Sequence, residues 1–159
     1  MEIGSSIRVR ANLFIEIHDA ETGTLLRRVE THNLVVTAGL NLIRDLLRGA
    51  AGVTGLNYFA YGTGTTAAAA GNTTLQTEVG RDNYTQTSIV DGKLTIKYYL
   101  ASTAGNGNTI SEAGLFGNGA TATANSGTLF ARAVFAGEAK TSAQAWTFTW
   151  EVTVTDDGV

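Results

Sequence analysis

The sequence predicts a mostly β protein, an antiparallel β-sandwich or barrel with one short α-helix near residues 38–48. Three features lead to this expectation. Several short segments alternate apolar and polar residues with a period of two, which is typical of half-buried strands. Only one segment has helical spacing, and no βαβ rhythm accompanies the strands. The chain has 19 glycines and no proline, so its many turns must use Gly, Asn and Asp.

The first predicted strand is IRVRANLFIEI at 7–17, in which every odd position is apolar. Its even positions are polar except for Phe14. Asp19 and Gly23 then supply turn chemistry, and the chain returns through LLRRVETHNLVV at 25–36. The pattern predicts an N-terminal hairpin over about 7–36.

The one predicted helix lies in the segment AGLNLIRDLLRG. Apolar residues recur there at i, i+3 and i+7, which gives the segment one apolar face: Leu40, Ile43 and Leu47. Thr37 is the expected N-cap and Gly49 the expected C′ residue. These start and stop signals predict a helix of about three turns.

From Gly55 onward the chain reads as strands. The segment SIVDGKLTIKYYL places Asp91-Gly92 between two alternating runs, the pattern of a two-residue hairpin turn with positive φ. Two further short strands are expected in TISEAGLF at 109–116 and TLFARAVF at 128–135. A loop rich in Gly, Asn and Ala separates them.

The last predicted strand, AWTFTWEVTV at 145–154, alternates most regularly. One of its faces carries five large apolar residues: Trp146, Phe148, Trp150, Val152 and Val154. Burial of each aromatic side chain is worth roughly 2–3 kcal/mol, so we expect this strand to anchor the core.

Length and composition predict a single β-rich domain over 1–159. Charged residues make up 16% of the chain, against about 25% in an average protein, which indicates that much of the surface faces other protein. A neutral polar surface is the alternative. The formal net charge of −3 argues against nucleic acid as a partner. No apolar run fits a signal peptide or a membrane span, so we expect no membrane partner and synthesis in a cytoplasm.

The segment YGTGTTAAAAGNTT at 61–74 carries the one pattern that is typical of a cofactor site. Three of its residues fit the dinucleotide-binding turn G-x-G-x-x-G/A: Gly62, Gly64 and Ala67. Asp82 lies about 20 residues further on, where such proteins hold the ribose. However, Gly71-Asn72 interrupts the helix that would present its amides to a phosphate. We therefore interpret the segment as a loop and predict no cofactor.

Other catalytic and metal-binding patterns are sparse. Glu16 and His18 share one strand face and have metal-ligand chemistry, but the sequence offers no third ligand. We interpret His18 as an edge-strand residue beside a turn. No G-x-S-x-G nucleophile motif is present, and the glutamates of the strands have no obvious acidic partner: Glu112, Glu138 and Glu151. The sequence predicts a non-enzyme with no catalytic residue and no metal site.

Four of the chain's 11 basic residues fall in the N-terminal hairpin: Arg8, Arg10, Arg27 and Arg28. Arg8 and Arg10 share the polar face of the first strand, and we expect Arg27 or Arg28 to lie opposite them. Arginine is a preferred interface residue, so this patch suits an acidic protein surface. We predict that the hairpin is a docking arm and that these arginines are its contacts. The alternative is a solvated strand face whose charge nearby glutamates offset.

Four segments together resemble small structural proteins of tailed bacteriophages: NLVVTAGLNLIRDLLRG at 33–49, YFAYGTGTT at 58–66, TISEAGLFG at 109–117 and TLFARAVF at 128–135. The resemblance covers most of the chain from Asn33 to Val154. Proteins of this type are described as tail-fibre, baseplate or other virion proteins, and they commonly act as homo-oligomers, often trimers. The resemblance implies a non-enzymatic virion protein that binds itself and other virion proteins, such as major capsid, tail or baseplate proteins.

Two positions on the particle remain open within this resemblance. The short chain and its candidate docking hairpin favour capsid decoration, or cement, whereas the usual descriptions of similar proteins favour a short tail fibre or a baseplate component. An alternative from a different class is a carbohydrate-binding β-sandwich. Its stacking platforms would come from four tyrosines: Tyr58, Tyr61, Tyr98 and Tyr99. These side chains are also typical of a strand core or an interface.

Overall fold

A computed structural model describes residues 7–156 and shows a mostly β protein with one short helix. The elements are β1 (Ile7–Asp19), β2 (Leu25–Val35), α1 (Thr37–Leu47), β3 (Leu56–Gly62), β4 (Glu78–Asn83), β5 (Gln86–Val90), β6 (Lys93–Leu100), β7 (Thr109–Gly117), β8 (Thr128–Ala139) and β9 (Gln144–Asp156). The nine strands form one antiparallel sheet in the order β4-β3-β7-β8-β2-β1-β9-β6-β5, which curls into a half-barrel. The predicted fold class is confirmed.

The N-terminal hairpin lies in the middle of this sheet. β1 pairs with β2 from Asn12 to His18 and with β9 over its full length of 13 residues. Its inward side chains are buried as the alternation predicts: Leu13, Ile15 and Ile17. The hairpin over 7–36, expected as a docking arm, is therefore part of the sheet, because strands bond to it on both sides.

β2 turns the corner between the two halves of the half-barrel. It pairs with β1 as far as His32 and with β8 from Asn33 to Val35. The Asn33 amide lies in the gap that this change of partner opens. Both of its polar groups are paired when its nitrogen is assigned toward the Ala11 carbonyl and its oxygen toward the Trp150 indole N–H. Consequently residues 7–11 of β1 pair with β9 alone.

The inner faces of the two halves meet in an aromatic core. Trp146, Phe148 and Trp150 of β9 are fully buried, which confirms that the last strand anchors the core. Across the half-barrel, Phe59 of β3 stacks on Tyr98 of β6 with their ring centroids 4.6 Å apart. This contact joins the halves, because β3 and β6 lie on opposite sides of the curled sheet.

The connection from β3 to β4, residues 63–77, covers a second and smaller apolar cluster. Phe59 and Tyr61 of β3 face the aromatic core, whereas Ala60 between them faces this cluster. The buried members of the cluster come from β3, β7, β8 and the covering segments: Val36, Ala60, Leu75, Phe116, Ala120 and Leu129. The loop that contains the glycine pattern is therefore a structural cover.

The helix begins one residue earlier than a Thr37 N-cap predicts. Val36 is the N-cap, with extended backbone and no side-chain cap, and Thr37 is the first helical residue. Buried Val36 donates its N–H to the Phe130 carbonyl of β8, and this tertiary bond sets the start of the helix. At the other end, Gly49 has φ +63 and donates its N–H to the Leu46 carbonyl, which confirms it as the C′ residue.

The Asp91-Gly92 hairpin is also confirmed. Val90 pairs with Lys93, and between them Asp91 and Gly92 have φ of 50° and 72°. Positive φ at both central positions is the geometry expected of this two-residue hairpin turn. β4 has no alternating pattern that predicts it.

No helix among residues 7–156 is long and apolar enough to span a membrane.

Candidate functional site

The structure separates the four arginines that were expected to form one patch. Arg8 and Arg10 lie opposite Thr155 and Thr153 of β9, and both are exposed. Within residues 7–156 neither side chain has a hydrogen bond or an ion pair. They lie beyond the last β2 pair, so nothing of β2 stands opposite them.

Arg27 and Arg28 lie near the other end of the hairpin and have partners within the chain. Arg28 stands opposite Glu16 and forms an ion pair with it, and Arg27 Nη1 lies 2.8 Å from Glu138 Oε1. Glu16 follows Arg10 by six positions along β1, roughly 20 Å at about 3.3 Å per residue. The expectation that Arg27 or Arg28 lies opposite Arg8 and Arg10 is wrong, because the strand register places them elsewhere.

An apolar cavity of about 320 Å³ lies beside Val9, where the sheet runs on past its opposite half. Arg8 and Arg10 alternate with Val9 along β1 and lie on the other face of the sheet. The lining side chains of the cavity come from both halves and from α1, and they include Val9, Leu42, Ile43, Phe130, Val152 and Val154. Val154 was expected to face the core like its neighbours on β9, but it is 56% exposed. The reason is that, among residues 7–156, no strand covers the inner face of the sheet at this level.

Exposed apolar side chains lie on the strands and the helix that line this cavity. Ile7 is 71% exposed, Leu47 of α1 is 78% exposed and Ile89 of β5 is 75% exposed. We call the cavity and its rim the open end, the rim consisting of Ile7, Leu46, Leu47, Ile89 and Val154. Contiguous exposed apolar surface of several hundred Å² is typical of sites that bind protein. No sequence pattern predicts the open end, because it depends on where the two halves stop covering each other.

The glycine pattern at 61–74 is held by a carboxylate of the protein itself. Glu112 of β7 is completely buried, and its Oε1 accepts the N–H of Gly64 at 3.0 Å and that of Thr77 at 2.7 Å. Its Oε2 accepts the N–H of Gln76 at 3.0 Å. The carboxylate thus occupies the place at which a phosphate-binding turn would hold its ligand.

The pattern needs glycine for the same reason. A Cβ on Gly64 would lie 2.4 Å from Glu112 Oε1, and one on Gly62 would lie 2.2 Å from the Thr77 carbonyl oxygen. Both distances are too short for any side chain. The glycines therefore let the loop approach Glu112, and the interpretation of this segment as a loop agrees with that geometry.

Arg132 of β8 balances the charge of Glu112. Its Nε donates to Glu112 Oε2 at 2.9 Å, and its Nη1 donates to Asn72 Oδ1 at 3.1 Å. Its Nη2 is also 2.8 Å from Oε2, although without hydrogen-bond alignment. Sequence analysis missed this pair. The available signal was one charged residue in each of two mostly apolar segments, 109–117 and 128–135.

We expect no affinity for NAD(P) or ATP, because the Gly64 amide already donates to Glu112. Isothermal titration calorimetry on the purified chain tests this expectation. Micromolar affinity that Gly64→Val abolishes would contradict it.

Two buried cations hold the glycine-rich loops at the ends of the half-barrel. Arg81 pairs with Glu78 at 2.6 Å and donates from Nη1 to the Ser126 carbonyl at 3.0 Å, which fixes the loop between β7 and β8. Lys140 donates from Nζ to Asn106 Oδ1 at 3.0 Å and fixes the loop between β6 and β7. Burial lowers the pKa of Lys140 from its ordinary value. Both loops are thus ordered parts of the fold.

The four tyrosines proposed as sugar platforms lie in different environments. Tyr61 and Tyr98 are buried in the aromatic core, and burial raises the pKa of both phenols. Tyr58 is half-buried, and Tyr99 is 52% exposed. A stacking platform needs an exposed ring face, so only Tyr99 offers one clearly.

Glu16 and His18 are not joined by a third metal ligand. Glu16 is the partner of Arg28, and no group of three or more His, Cys, Asp or Glu side chains within residues 7–156 is placed to hold a metal ion.

Comparison with known proteins adds no identity: no family model, no curated protein and no solved structure matches the chain. The resemblance to phage structural proteins stays a prediction from the sequence.

Proposed function

We propose that this protein is a non-enzymatic structural component of a tailed-bacteriophage particle, where it assembles as a homo-oligomer on the particle surface. The observation that carries the proposal is the open end, an apolar cavity with a rim of large exposed side chains. Such a surface is stabilised when another protein covers it. The low charge content and the resemblance of four segments to virion proteins support the same conclusion.

The proposal covers two positions on the particle, capsid decoration and a short tail fibre or baseplate component. Its partners are further copies of the chain and a major capsid, tail or baseplate protein. The chain would be made in the cytoplasm of the host bacterium and act in the virion.

The proposal is tested on particles produced by the genome that encodes the chain. Mass spectrometry of purified particles should find the chain in a fixed copy number, and a cryo-electron microscopy map should place it on the head or the tail. Particles that lack the chain after purification would overturn the proposal.

We expect the double substitution Arg8→Ala with Arg10→Ala to lower incorporation into particles at least tenfold while melting stays unchanged. Both side chains are exposed and have no partner within residues 7–156, so removing them should change stability by no more than about 0.5 kcal/mol. Truncating an arginine that is buried and hydrogen-bonded to a charged partner in an interface costs about 2–5 kcal/mol of binding. The measurement is thermal melting together with quantitative mass spectrometry of particles.

The matched control is Arg27→Ala with Arg28→Ala, which removes arginines whose partners lie within the same chain. We expect this control to be incorporated nearly normally. Equal loss in both double variants would contradict a specific role for Arg8 and Arg10.

A further inference from the structure

We propose that two copies of the protein pair through β5, edge strand to edge strand, so that their sheets join into one. β5 (Gln86–Val90) is the last strand of the sheet beyond β6, and among residues 7–156 no strand pairs with its other side. A free strand edge is a template for a further strand. The inference rests on the proposed function, because it names a contact through which copies of the chain associate.

The register of β5 against β6 determines which backbone groups point to the free edge. The two-residue turn at Asp91-Gly92 makes Val90 and Lys93 a hydrogen-bonded pair, and such pairs alternate with non-bonded ones along an antiparallel ladder. The N–H and C=O groups of Thr87 and Ile89 therefore point away from β6. These four groups have no partner strand within residues 7–156.

The four groups are self-complementary in one register. When two β5 strands run antiparallel with Ser88 opposite Ser88 of the second copy, Thr87 of each copy faces Ile89 of the other. Both are then hydrogen-bonded pairs, so all four groups of each copy find a partner. A shift of the register by one or two positions breaks these pairs. A contact that uses the same patch on both copies is two-fold symmetric and gives a dimer.

The same register brings apolar side chains together beside the open end. Ile89 belongs to its rim and is 75% exposed, and Thr87 lines its cavity. Both side chains lie on the inner face, because they stand opposite Leu94 and Ile96 of β6, which line the same cavity. In the pair, Ile89 of each copy lies beside Thr87 and diagonally beside Ile89 of the other. The contact removes part of the rim from water and leaves the cavity free for a protein of the particle.

β5 has no charged side chain, so two copies bring no like charges together along it. The nearest charged residue along the chain is Asp91 at the turn. In the proposed register the two Asp91 residues lie at opposite ends of the contact, about six positions or roughly 20 Å apart. Charge therefore does not oppose the pairing of two copies at this edge.

The other edge of the sheet is protected against such pairing. β4 (Glu78–Asn83) contains three charged residues, and a register shift next to Gly62 interrupts its pairing with β3. Its Arg81 also holds the loop between β7 and β8 through the Ser126 carbonyl. Charges and bulges are devices by which sheets avoid edge-to-edge pairing. β5 has no charge and no register shift against β6, which indicates an edge that another strand covers.

Ser88 offers the sharpest test, since it faces its own counterpart only in this two-fold register. Ser88→Lys and Ser88→Glu each place like charges directly opposite one another, and we expect each to raise the dissociation constant of the dimer at least about tenfold. In analytical ultracentrifugation the unmodified chain should pass from monomer to dimer between about 1 and about 100 µM, as suits a small contact. An equimolar mixture of the two variants should associate at least as strongly as the unmodified chain, because Lys then faces Glu.

Thr87→Pro tests the backbone bonds of the contact. The Thr87 N–H points to the free edge, so proline removes a bond of the contact but none to β6, and an edge strand tolerates proline at such a position. We expect this variant to associate at least about tenfold more weakly. In the unmodified chain, hydrogen exchange at the Thr87 and Ile89 amides should slow as the protein concentration rises.

Tyr99→Lys is the matched control. Tyr99 is 52% exposed and lies on β6, outside the contact. This variant should associate like the unmodified chain, and thermal melting should show that all variants are folded.

Four results would overturn pairing through β5. They are a monomeric unmodified chain at about 100 µM, unchanged association of Thr87→Pro, a mixture of the Ser88 variants that associates no more strongly than either alone, and a trimer in place of the dimer. None of these results decides whether the chain occurs in particles, which the particle experiment measures separately.

Discussion

Glu112→Gln is expected to lower the free energy of unfolding by roughly 3–5 kcal/mol, the usual cost of removing one partner from a buried ion pair. Glu112 is 0% exposed and Arg132 is 2% exposed. Water therefore cannot solvate the Arg132 guanidinium once its carboxylate partner is removed. Gln keeps the size of the side chain but has only one accepting oxygen for the backbone amides that Glu112 binds. Urea denaturation of the purified chain measures the change.

The matched control for this prediction is Glu138→Gln. Glu138 also pairs with an arginine, but Arg27 is 58% exposed, and pairs of this kind contribute only about 0–1 kcal/mol. A second variant, Glu112→Gln with Arg132→Met, should be less destabilised than the sum of its single substitutions, because it leaves no unpaired buried charge. Equal effects of Glu112→Gln and Glu138→Gln would show that Glu112 does not hold the loop.

The strands that the sequence predicted well are those that have one covered face. β1 and β9 alternate because the inner face of the half-barrel is buried along most of their length. The Asp91-Gly92 turn was predictable because positive φ at two consecutive positions restricts the residues that fit there. Local chemistry determined each of these features.

The candidate site depends on features that are not local. The register of β1 against β2 sets where Arg27 and Arg28 lie, and a bulge near Ile17 shifts it. The pairing of Glu112 with Arg132 needs β7 beside β8 and the loop at 63–77 folded over both. The open end exists because the halves of the sheet differ in extent. The sequence signal among these relations is the charged residue within each of the segments 109–117 and 128–135, and it does not show that the two residues pair.

Gly39→Ala should destabilise the protein by about 3 kcal/mol, the upper end of the usual cost of overpacking a core. Helix propensity alone predicts the opposite sign, since Ala is favoured over Gly within a helix by about 1 kcal/mol. However, a Cβ on Gly39 would lie 2.2 Å from the Phe130 carbonyl oxygen of β8. That atom belongs to the backbone, so no side-chain rotation can relieve the contact, and α1 must move away from the sheet.

The consequence of Gly39→Ala should extend to the open end. Leu42, Ile43 and Leu46 of α1 line its cavity, so a displaced helix changes the cavity without altering any residue of the proposed contact. We expect faster hydrogen exchange in α1 and lower incorporation into particles, with self-association through β5 unchanged. Gly55→Ala is the control, because a Cβ there meets no atom within 4 Å. A Gly39→Ala variant as stable as the unmodified chain would show that α1 is not held against β8 at this position. Unchanged incorporation despite a displaced helix would place the contact with the particle outside the open end.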